Sequence, residues 1–134
     1  MSDTSNLCGS LEFSEQISKS KTQPIIGSQI KFKFNDIIGS LPIIAKNSDG
    51  YKELINLSSK SFLENSHIDD PHCKIELLFN CSKNLIILSG GINSLSGNLF
   101  QNGRIDELEK LYSSLNKNSG DNFYIEIQRH GDLN

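Results

Sequence analysis

No apolar run in this 134-residue chain approaches the about 18 residues that a membrane-crossing helix needs. Its first residues also lack the basic start and apolar stretch of a secretory signal. Both absences point to a cytoplasmic protein with no membrane partner. Cysteine is scarce: Cys8, Cys73 and Cys81 are an odd number without a C-x-x-C pair, so no disulfide framework is expected. There is no basic excess, because 13 Lys and Arg face 16 Asp and Glu for a net charge of −3. A surface built to grip nucleic acid normally carries a basic stripe, so nucleic acid is not an expected partner. No internal repeat is visible.

The chemical motifs are missing as well. His67, His72, Cys73 and Cys81 are the metal-capable group, but their spacing matches no common zinc pattern. Ser89-Gly90-Gly91 and Ser96-Gly97-Asn98 lack the order of a phosphate-binding loop. Nothing gathers a cysteine, a base and an oxyanion site for nucleophilic catalysis. The chain does not end in Gly-Gly, which argues against a conjugated modifier. A non-enzyme without metal or cofactor is the expectation.

The most informative stretch is Ile30-Lys31-Phe32-Lys33-Phe34, which alternates apolar and basic residues before breaking at Asn35-Asp36. Successive side chains on a strand face opposite ways. Ile30, Phe32 and Phe34 therefore line a buried face, and Lys31 and Lys33 share the other. Length sets one domain. Residues 1–24, rich in Ser, Thr, Gln, Asn and Lys, read as a disordered segment, and 25–134 as the folded domain.

A turn at 36–40 and an apolar return at 41–46 complete a hairpin. Asn47-Ser48-Asp49 offers capping chemistry for a helix over 49–64, whose apolar face runs through Leu54 and Leu57. Residues 65–73 read as a loop, and 74–79 with 85–88 as a second hairpin. A long loop follows at 90–103. Ile105, Leu108, Leu111, Tyr112 and Leu115 mark a helix over 104–117, and 122–127 close as a strand. The order β-β-α-β-β-α-β predicts an α+β fold: a mixed sheet with helices on one face, of the ubiquitin-like β-grasp type.

That order, with the strings IKFKFND, IELLFNCSKNLIILSG, RIDELEKLYSSL and NFYIEIQ, resembles the Phox-and-Bem-one domain over about residues 29–129. The nearest flavour is the version in MAP-kinase-kinase-kinases. Members of that family pair a basic cluster on the first strand with an acidic motif of another domain. The resemblance places the family lysine on Lys33, with Lys31 as companion and Lys46 and Arg129 as weaker additions. The turn Asn80-Cys81-Ser82-Lys83-Asn84 has no carboxylate, and only Asp106, Glu107 and Glu109 remain for an acidic face. The implied function is a basic-type docking module for an acidic partner in signalling or scaffolding. Its contacts would be charge-assisted and salt-sensitive.

Two other readings stand beside it, the first of which takes the opening hairpin as one strand to give β-α-β-β-α-β. One is a ferredoxin-like domain with a nucleic-acid-binding or small enzymatic role, which would present an aromatic-basic sheet face. The other is a small acidic secretion chaperone that dimerises through an exposed apolar helix. The oligomeric state is not set by any sequence feature.

Overall fold

The computed structural model describes residues 1–65 and 70–129. Its sheet is built around a long hairpin of β2 (Gly27–Phe34) and β3 (Ile37–Ala45), paired antiparallel from Gly27↔Ile44 to Phe34↔Ile37. Asn35 closes the turn with φ 55°, the left-handed conformation that asparagine tolerates better than most residues. The alternation acts as the pattern requires. Ile30 and Phe32 are fully buried, Phe34 packs against the core, and Lys33 is exposed.

Two short strands run parallel to β2. They are β1 (Ser2–Thr4), against Gly27–Gln29, and β4 (Cys73–Lys74), against Phe32 and Lys33. On the far side β5 (Leu85–Leu88) pairs antiparallel with β3, and β6 (Phe123–Tyr124) pairs parallel with β5. The order is β1-β2-β3-β5-β6, with β4 also on β2. Every strand except β3 therefore points the same way.

Among the described residues five α-helices complete the fold: α1 (Ser10–Lys19), α2 (Ser48–Leu63), α3 (Ile75–Cys81), α4 (Leu95–Gln101) and α5 (Ile105–Ser119). Asn47 caps α2, its Oδ1 accepting from Gly50 N at 2.9 Å. One core gathers Ile30 and Phe32 of β2, Leu41 and Ile43 of β3, and Leu85 and Ile87 of β5. Leu54, Leu78, Leu99, Leu111 and Leu115 reach it from the helices. The other face of the sheet presents Gln29 and Lys33 of β2, with Pro42 and Ile44 of β3 half-buried.

The β-grasp expectation is corrected here. Residues 75–81 are helix, so the second hairpin does not form and β5 pairs back onto β3 instead. Ile75 and Leu78, both buried, lie three residues apart, the separation that puts two side chains on one helical face. The expected loop at 90–103 contains α4, capped by Ser94. The segment 1–24, expected to lack order, carries β1 and α1. Ser28 Oγ donates to the carbonyl oxygens of Asp3 (2.9 Å) and Asn6 (3.2 Å), tying it to β2. The closing strand pairs over two residues, not six.

Candidate functional site at the carboxyl end of β5 and β6

In sheets whose strands run mainly one way, the carboxyl ends open into a crevice where ligands bind. Here that end is the turn Ser89-Gly90-Gly91 after β5 and the chain running on from β6. Ser89 N donates to Tyr124 O (2.9 Å), and Ser89 Oγ accepts from Glu126 N (2.9 Å), holding the two exits together. Gly90 sits at φ 72°, a conformation that strains a residue bearing a Cβ. Gly91 O accepts from Ser94 N (3.0 Å), and Ser94 Oγ accepts from Gly97 N (3.1 Å), turning the chain into α4. Gly97 is obligatory for contact reasons: a Cβ there would lie 2.0 Å from Ile92 O.

The result is a cleft of about 540 Å³ between this turn, α4, α5 and the segment after β6. Its walls are mainly apolar, with Ile92, Phe100, Leu108, Tyr112 and Ile125. Ser96, Glu126 and Gln128 supply polar groups, and Gln128 Nε2 donates to Glu126 Oε1. A second, more polar hollow of about 280 Å³ adjoins it, sharing Gly90, Gly91, Glu126 and Gln128 and adding Gln29 and Ser94. Glycine-rich spacing at 89–97 is the one sequence signal for this site, and without a phosphate-loop pattern it reads as a plain loop.

The four basic residues Lys31, Lys33, Lys46 and Arg129 do not converge on it. Lys31 Nζ pairs with Asp70 Oδ2 at 3.0 Å, and Lys46 Nζ donates to Asn122 Oδ1 at 2.7 Å. Lys33 is exposed and makes no ion pair among the described residues. Arg129 is exposed beyond β6, with β3 and β5 between that strand and β2. Of the carboxylates considered for an acidic face, Glu107 is engaged within the molecule. Arg104 binds its Oε1 through Nε (2.6 Å) and its Oε2 through Nη2 (2.7 Å), and Nη2 also reaches Asp36 Oδ1 (2.6 Å). The Arg104 hydrogen bond holds the Asp36 carboxyl below its ordinary value. Hydrogen bonds from Arg104 and then Asn35 do the same for Glu107.

Of the metal-capable group, the structure describes His72, Cys73 and Cys81. His67 and the chain terminus lie outside the described residues, and His72 Nδ1 sits 2.7 Å from Asp70 O. Burial, with Glu64 nearby, pushes the Cys73 thiol up to about 11. Burial, with Glu53 nearby, pushes Cys81 up to about 12. Both therefore stay protonated and unreactive near neutral pH. Among the described residues no three His, Cys, Asp or Glu side chains converge on a common point. Nor is any helix among them long and apolar enough to cross a membrane.

Comparison with known proteins gives the context. A profile of the PHP domain matches residues 1–130. The chain is similar to the DNA polymerase III subunit alpha of Caulobacter vibrioides, 31% identical over 144 residues, covering 98% of this chain and 12% of that protein. The same subunit of Vibrio cholerae is 31% identical over 134 residues (98% and 12%), and that of Rickettsia felis 36% over 132 residues (97% and 11%). The chain thus spans about an eighth of the length of these relatives, which are named as subunits of an enzyme. These matches overturn the Phox-and-Bem-one resemblance, and with it the β-grasp class, the signalling-scaffold role and the acidic docking partner. They also remove the ground for excluding nucleic acid, since the relatives are named for a DNA polymerase.

Proposed function

The chain belongs to the PHP domain family, and on that premise we propose that it serves DNA replication as the PHP unit of a DNA polymerase III alpha-type protein. The observation that supports this best is the match of 97–98% of the chain to proteins that carry one name. DNA synthesis is the property of the larger protein, and this unit contributes a packed sheet and a ligand cleft. Such work places it in the compartment that holds the DNA.

Within that reading, Lys33 and Arg129 are the residues for phosphate binding, being exposed and charged. Lys31 and Lys46 contribute less, since Asp70 and Asn122 already engage them. Neutralising either Lys33 or Arg129 should lower the salt dependence of DNA binding by about one unit of slope. With a net charge of −3 the unit supplements a larger DNA-binding surface and does not grip a duplex alone.

A segment exchange tests the reading. This chain replaces the matched segment of the Caulobacter vibrioides subunit, and primer extension is measured beside the unaltered enzyme. Retained extension is the expected result. A soluble, folded chimera without extension would overturn the proposal.

A further inference from the structure

We infer that the β5–β6 cleft is a pocket for a neutral nucleobase, an inference that takes its ligand class from the replication reading above. Ser96 on α4 is only 4% exposed and lines the cleft, yet its Oγ has no hydrogen-bond partner among the described residues. Buried hydroxyls are almost always paired, because an unmet one carries its full desolvation cost. A ligand atom in the cleft would meet that need, as donor or acceptor.

The walls suit a flat ring. Phe100 is 60% exposed on α4, and Tyr112 on α5 faces the same space. The exposed Phe100 ring beside an apolar hollow offers a stacking surface that accepts any base, while Tyr112 packs on Phe123 with ring centroids 5.4 Å apart. The volume of about 540 Å³ lies in the range of small-molecule sites.

Charge separates base from phosphate. Among the described residues Glu126 is the single charged one lining the cleft, and a carboxylate repels a phosphate while accepting from an exocyclic amine or ring N–H. Beside it the Gln128 amide offers both a donor and an acceptor, the pairing a base edge presents. An aliphatic chain in the same space would leave the Ser96 hydroxyl unmet and make no use of the Glu126–Gln128 pair. The base comes either from a free nucleoside or from an unpaired position in a single strand.

Calorimetric titration of the intact chain decides, using deoxyadenosine, a short single-stranded oligonucleotide and the same strand with abasic sites. The nucleoside or the ordinary strand should bind and the abasic strand should not. Phe100→Ala should weaken binding about tenfold or more, the scale on which removing a stacking ring acts, and Ser96→Ala should weaken it while the fold stays intact by circular dichroism. Equal affinity for nucleoside and strand identifies the free ligand, and much tighter strand binding identifies the unpaired base. Absence of binding, equal binding of the abasic strand, or a folded Phe100→Ala protein that binds as wild type would each overturn the inference. Primer extension by the chimera is a separate readout: extension without base binding removes the pocket and leaves the replication role standing.

Discussion

The two sides of the sheet differ in how completely their sequence demands are met. In the β2–β3 hairpin all eight residues of β2 are paired, and Ile30, Phe32, Leu41 and Ile43 are fully buried. At the other edge β6 pairs over two residues only. Tyr124 at its end and Ile125 and Ile127 beyond it are 53, 56 and 86% exposed although NFYIEIQ has the composition of a strand. The hairpin carries the fold, whereas the β5–β6 end carries unfinished surface and a buried hydroxyl without a partner. The proposed function and the main source of stability thus fall on opposite sides.

Substitutions should separate the two sides, beginning with the largest effect. Phe32→Ala removes a fully buried ring and should cost about 3–5 kcal/mol in urea unfolding. The same truncation at Ile127 should change stability by no more than about 0.5 kcal/mol. A comparable loss at both sites would erase the distinction. Ser96→Ala should run the other way and raise the stability of the ligand-free chain by about 1 kcal/mol, since the unmet hydroxyl is removed. A clear loss of stability there would mean that Ser96 already has a partner.

The smallest contrast concerns the Arg104 cluster, which ties the hairpin turn to α5. Asp36 and Glu107 have folded-state values held below their ordinary 3.8 and 4.5. A depressed value gives stability that is complete above the ordinary pKa and lost as pH falls through the folded one. Wild type should therefore lose more stability than Arg104→Gln between about pH 5 and the acid limit. Parallel acid curves for the two proteins would show that the cluster contributes nothing.

The sequence was legible where one periodicity had no rival. Strict alternation from Ile30 to Phe34 predicts β2, and Asn47 followed by Leu54 and Leu57 predicts α2. Leu111 and Leu115 likewise predict α5. At Ile75–Phe79 a short apolar run fits strand and helix equally, and burial of Ile75 and Leu78 decided for helix. That single reversal removed the second hairpin and with it the pattern that resembled a docking module. α4 was hidden because Gly97 reads as loop, although it is there for a close approach to Ile92 O. The N-terminal segment has few large apolar groups, and its order draws on β1 pairing, on Leu7 against the core and on long-range hydrogen bonds from Ser28 that no local pattern records. Of the cleft, only the glycines had a signal, since Ser96, Glu126 and Gln128 meet through tertiary packing.

The most direct test of this division is a map of backbone amide shifts on titrating the isotope-labelled chain with deoxyadenosine. Saturable shifts confined to residues 89–100, 108–112 and 124–128, with the hairpin at 27–45 unmoved, are the predicted result. Shifts centred on Lys31 and Lys33, or none at all, would contradict it.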